Sequence, residues 1–227
     1  MQLTAAGARR WAPALGITAV VVYVALTIVA VALYPGSTSP VDTYLSDLGN
    51  ADYSPDGWAV FDLAMILGGL LSLPFFVGIY DRYREKAPRR WLRTGLVAGI
   101  VNGVAVLMAG VVAEHVNLAA HIVWSMLIFV SFLPLLTAHG WVLWKLGGFS
   151  RVVGVYGFVV CLADLGLLGA LFATGPDPGP GSLMEWVAVF AYLAWVALVS
   201  VEQCLRIRTT RSLSRTGAFP AEPHEVG

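Results

Sequence analysis

Charge is what this sequence has least of. Of 227 residues, only 12% are Asp, Glu, Lys or Arg, where soluble domains carry roughly 25%. Hydrophobic residues make up 58%, and the mean hydropathy is +0.75. That shortage excludes a water-soluble single domain and a disordered chain. The formal net charge is zero, so no basic field exists to draw in a nucleic acid, and no nucleic-acid partner is expected. Cysteine is scarce too. Cys161 and Cys204 fall inside apolar runs, without CxxC or Cys/His ligand spacing, so neither a disulfide framework nor a zinc site is expected. Signatures that specify chemistry are missing: there is no HExxH, no GxSxG and no paired-Asp motif. No metal and no cofactor is expected.

What is present is long apolar runs. A bilayer core of ~30 Å needs about 20 apolar residues of helix. Six stretches meet that length, at about 11–34, 57–80, 93–113, 118–144, 152–174 and 183–205. Period-two alternation is absent, so a β-barrel is not supported. The expected fold is an all-α bundle of six transmembrane helices forming one domain over 1–205, followed by a polar tail over 206–227. The tail holds Pro220 and Pro223 and is expected to be disordered. Arg9-Arg10 ahead of the first run mimics a secretory signal, but that run is longer than the ~7–15 residues of a signal core. It is expected to remain as a span.

The placement of cations orients the bundle. All 14 Lys and Arg residues fall before the first run, between or at the ends of the second and third, between the fourth and fifth, or after the sixth. With an even number of spans these segments share one face. The positive-inside rule makes that face cytoplasmic, with both termini on it. The expected location is the cell membrane, multi-pass, with membrane lipids as partners. The opposite loops are acidic: Asp42, Asp47, Asp52 and Asp56 in the first, Glu114-His115 in the second, and a Pro/Gly turn around Asp177 in the third. Within the first, Asp42-Thr43 is expected to cap a short helix over 44–48 that ends at Gly49, and Ser54-Pro55 to open the second span.

Gly95, Gly99 and Gly103 recur at spacing four in the third run, a small-residue stripe for close helix packing. Pro74 and Pro134 lie inside the second and fourth runs and are expected to kink them. Trp11, Trp58, Trp91, Trp141, Trp144 and Trp186 sit near span ends as an aromatic belt.

Ionisable residues inside spans need a reason, since insertion scales place Asp at roughly +2.5 to +3.5 kcal/mol at mid-depth. At ~1.5 Å rise per residue, Asp62 lies about 7–8 Å below the outer surface and His121 about 4–5 Å. Glu185 is similarly shallow, Glu114 and His115 cap the third span, and Ser46 and Asp47 sit on the loop above. These seven residues form one outer layer, the candidate site. Three readings of it stand side by side: a hydrogen-bonded network joining helix ends, a seat for a lipid headgroup or small ligand, and a catalytic acid/base or metal site. Asp164 lies at mid-depth, with Asn102 and Ser125 as candidate partners. It reads as helix glue or as part of an ion path. Between it and the cytoplasmic end only His139 and Glu202 carry ionisable groups, which disfavours a pump.

The stretch Tyr44-Leu45-Ser46-Asp47-Leu48-Gly49-Asn50, then Trp58-Ala59-Val60-Phe61-Asp62, Gly68-Gly69 and a His opening the fourth span, resembles the prokaryotic "domain of unknown function 998" family of six-helix membrane proteins. The same loop is similar to the Ile-Ser-Asp loop of the Frag/DRAM/Sfk membrane proteins, with Leu45 where that group has Ile. The resemblance covers about residues 10–175. The first family has no established activity. The second is associated with lipid remodelling and membrane trafficking, which implies a lipid-facing role for the outer layer and carries over Ser46, Asp47 and His121. No catalytic assignment follows from either. The expected function is therefore a non-catalytic membrane protein whose outer layer seats a lipid headgroup or small ligand. The alternatives are an outer-face hydrolase or transferase acting on lipid, with or without a metal, and a transporter. The hydrolase alternative resembles the seven-helix alkaline ceramidases in outline, but the His pair near their last helix is missing here.

Overall fold

A computed structural model describes residues 5–175 and 178–215. Six α-helices account for most of the chain: α1 Ala5–Leu33, α2 Trp58–Tyr83, α3 Arg89–Val111, α4 Leu118–Leu146, α5 Gly148–Thr174 and α6 Pro180–Arg215. All six are long and apolar enough to cross a membrane. The all-helical bundle expected from the apolar runs is thus the fold. Each helix packs on the next along the chain, and α1 closes against α6, so the bundle is a ring. At one end lie the turns that carry the cations; this is the basic end. At the other, the acidic end, lie segment 34–57, segment 112–117 and the α5–α6 turn.

Several helices outrun the apolar stretches at the basic end. α3 begins at Arg89 and takes Arg90 and Arg93 into its first turns, because long basic side chains let a helix continue while the charge reaches water. α6 likewise stays helical through Arg215. No Gly or Pro occurs between Gly181 and Gly217 to interrupt it. Residues 216–227 lie outside the described residues, as does part of the Pro/Gly turn at 176–177.

The outward faces are apolar. Val97 and Val123 are 63% exposed and Leu162 68%, which in water would be an aggregation surface and in a bilayer is the lipid face. Lipid removes the hydrophobic drive between helices, so close packing must hold them together. The α3 glycines supply it. The Gly99 Cα lies against the Phe76 ring and Gly95 against the His139 ring, each with no room for a Cβ. At Gly103 the α3 and α2 backbones cross: a Cβ on Gly69 would stand 2.6 Å from the Gly103 carbonyl oxygen. Between α4 and α5 the chain reverses through Gly147 alone, at φ +70°, followed by Gly148 at φ +57°. Side chains with a Cβ rarely adopt such values in succession.

The centre of the ring is filled at mid-height and toward the basic end by Phe75, Phe76, Phe132, Leu135, Leu136, Trp195 and Val199, all buried. A second apolar cluster, Tyr23, Ala30, Leu45, Leu48, Phe61 and Ala64, closes the acidic end. Between the two the packing is incomplete, and that gap holds the site.

Candidate functional site

The loop between α1 and α2 is a plug rather than a solvated connection. It carries a single 3-10 turn, Ser46–Gly49. Leu45, 2% exposed, and Leu48, 0% exposed, point down among Tyr23, Phe61 and Ala64. Polar groups of α6 and of the loop itself anchor the backbone. The Trp186 Nε1–H donates to the Thr43 carbonyl at 2.9 Å, and the Ser182 hydroxyl donates to the Val41 carbonyl at 2.9 Å. The Leu45 N–H donates to Glu185 Oε2 at 2.7 Å, and Ser46 also engages this carboxylate. The Tyr44 N–H donates to Asp47 Oδ2 at 2.9 Å.

Two expected caps differ. Asp42-Thr43 does not cap the short helix; the amides ahead of it are taken by Asp47 and Glu185, and the turn is 3-10 and only four residues long. α2 begins at Trp58, not at Pro55, with Gly57 as its N-cap. Ser54 instead closes a turn, its carbonyl accepting from Gly57 and Trp58.

Beneath the plug lies a narrow internal cavity of about 80 Å³. One water needs roughly 10–15 Å³ on the same measure. Ser46, Gly49, Asp62, His121 and Glu185 line its upper end. Its floor is Asn102, Phe75, Phe132, Tyr192 and Val196, and α5 contributes no lining residue. Along α2 the lining runs from Phe61 to Phe75, about 20 Å of helix rise.

Four of the seven outer-layer residues therefore meet at one cavity: Ser46, Asp62, His121 and Glu185. The other three surround it without lining it. His115 Nδ1 accepts from the Ala51 N–H at 3.3 Å, and its ring meets the Trp58 indole edge-on at 4.8 Å. Asp47 and Glu114 stand close enough to repel each other. Burial lifts the Asp47 carboxyl to about 6, against the Tyr44 hydrogen bond that favours its charge and with the help of Glu114.

His121 has a determined tautomer. Its Nδ1 is 2.8 Å from the Val112 carbonyl oxygen. A carbonyl only accepts, so Nδ1 carries a proton, and in the neutral ring the lone pair is on Nε2. That Nε2 is buried and has no partner among the described residues. The side chain is 9% exposed and borders the cavity. Asp62 is 6% exposed and lies just under the loop, its Oδ1 2.8 Å from where a Gly49 Cβ would be. Both residues line the upper end of the cavity.

The mid-depth polar residues separate. Asn102 forms the cavity floor, donating to the Ile128 carbonyl and to Ser131 Oγ at 3.1 Å each and accepting from the Tyr192 hydroxyl at 3.1 Å. It does not pair with Asp164. Asp164 is on α5, fully buried, and neither carboxyl oxygen has a partner among the described residues. Ser125 lines the cavity instead of meeting it.

A buried polar cluster at the basic end went unseen in the sequence. Glu202, 2% exposed, accepts from the Tyr83 hydroxyl, the Ser150 hydroxyl and the Arg206 Nε–H. Arg206 also donates to Ser150 Oγ at 2.6 Å, and Arg82 donates to the Gln203 carbonyl at 3.0 Å. The Glu202/Arg206 spacing of four was the available signal; Tyr83 and Ser150 gave none. Among the described residues, no three His, Cys, Asp or Glu side chains stand close enough to hold a metal ion.

Comparison with known proteins adds one result. The model of a family described as "Protein of unknown function (DUF998)" matches residues 17–202. The chain belongs to this family. The match runs from within α1 to within α6 and includes the plug loop and every residue lining the cavity. It supports the first of the two resemblances read from the Tyr44–Asn50 stretch. No curated protein and no solved structure matches the chain.

Proposed function

We propose that this DUF998 protein is a non-catalytic receptor for a membrane lipid or lipid-like small molecule, seated by its polar group in the cavity under the plug loop. The basic end faces the cytoplasm of the cell membrane, with both termini there, and the acidic end faces out. One observation carries the reading. A cavity runs down from the plug, and its upper end is lined by His121, whose buried Nε2 has no hydrogen-bond partner among the described residues, and by the Asp62 carboxyl group. A buried polar group left without a hydrogen bond costs about 1–3 kcal/mol, a cost that a donor brought to His121 Nε2 by a ligand would offset. The apolar lining below, with Phe75, Ile128, Phe129 and Val189, suits the aliphatic part of an amphiphile better than an ion.

Native mass spectrometry of the protein released from membranes in mild detergent tests this. A stoichiometric lipid adduct on the wild type, lost in Asp62→Ala at unchanged melting temperature, is the expected result. Identical retention in both proteins, or no adduct in either, contradicts it.

A further inference from the structure

Resting on that reading, we infer that the seat selects a cationic, hydrogen-bond-donating head, an alkyl ammonium group, and rejects phosphate and carboxylate. The upper end of the cavity presents acceptors. His121 donates its Nδ1–H to the Val112 carbonyl, which in the neutral ring leaves the Nε2 lone pair to accept. The Asp62 carboxylate faces the same space. Glu185, also at the wall, is held by the loop's own amide at Leu45. No Lys or Arg occurs at 11–81, 94–144 or 152–205, and every lining residue comes from those stretches. An anionic head entering here would meet carboxyl groups and an imidazole with no basic side chain to pair with it.

An ammonium group meets the reverse. It supplies the donors that His121 Nε2 and Asp62 lack. Aromatic rings also bound the space near the loop: Tyr23 and Phe61, an edge-to-face pair at 6.2 Å. Such rings favour cations by their quadrupoles. A cavity of about 80 Å³ holds a compact head and its first methylenes, not a bulky glycan.

Three probes of equal chain length test this on the full chain in maltoside micelles: radiolabelled octylamine, octanol and octyl phosphate, measured by scintillation proximity. Octylamine is expected to bind saturably, at least tenfold tighter than octyl phosphate, with octanol between. Asp62→Asn and His121→Phe are each expected to weaken octylamine at least tenfold while leaving octanol within threefold. Octyl phosphate binding as tightly as octylamine to the wild type overturns the inference, and needs no variant to fold. Equal binding of all three probes, insensitive to Asp62→Asn, overturns the selectivity while leaving the lipid seat in place. Binding of no probe overturns it as well; if the native mass spectra then still show a lipid adduct, the seat survives, and if they show none, both readings fall.

Discussion

At the scale of single residues, the site depends on which buried groups are satisfied and which are not. Glu202 is fully engaged by Tyr83, Ser150 and Arg206, and so reads as structure. Removing its carboxylate leaves those donors stranded. Glu202→Ala is expected to lower stability by about 1–3 kcal/mol, seen as a fall in melting temperature, with octylamine binding intact in the folded fraction. Asp47 behaves differently. Burial raises its carboxyl to about 6 in the folded loop, from an ordinary value near 3.8, so folding favours the protonated form. That contribution is complete below about pH 4 and is lost as pH rises through 6. Amide exchange over 44–50, corrected for intrinsic rates, is expected to accelerate between pH 4 and 7. Asp47→Asn should flatten the profile; an unchanged profile would show that Asp47 does not hold the turn.

At the scale of elements, the plug and the α3 stripe do opposite jobs. The stripe brings α2 and α3 together through backbone contact at Gly69 and Gly103. A larger side chain must push them apart, and Gly103→Leu is expected to cost about 1–3 kcal/mol, read as a lower melting temperature. The plug is held mainly by Leu45 and Leu48. Leu45→Ala is expected to cost about 2–5 kcal/mol if the mouth does not collapse around it, and to raise exchange over 41–51 before any helix is affected. The helices and the glycine stripe were legible in the sequence because length and spacing in a bilayer are one-dimensional constraints. The caps were not: Asp42-Thr43 had the right residue types, but Glu185, 140 residues away along the chain, took the Leu45 amide instead. Asp164 shows a related limit. α5 is apolar on every side, so the sequence carries no phase to say which face turns inward. Depth placed Asp164 beside Asn102, while rotation separated them.

At the scale of the whole molecule, the ring has a cavity at the acidic end and a solid septum below. Phe75, Phe76, Phe132, Leu135, Leu136 and Val199 fill that septum, which fits a binding protein better than a conduit. Proteoliposomes are expected to hold a pH gradient as long as empty liposomes do. Faster collapse that Asp62→Asn abolishes would favour the transporter reading. The convergence of Asp62, His121 and Glu185 was half legible: their common depth followed from counting residues, but their common cavity required the ring closure of α1 on α6. The most direct measurement is the structure of the full chain in nanodiscs made from its native membrane lipids. Elongated non-protein density under Leu45 and Gly49, its head within hydrogen-bond distance of Asp62 and His121 Nε2, is the expected result. A cavity that is collapsed, or that holds only water hydrogen-bonded to those two side chains, would contradict the seat.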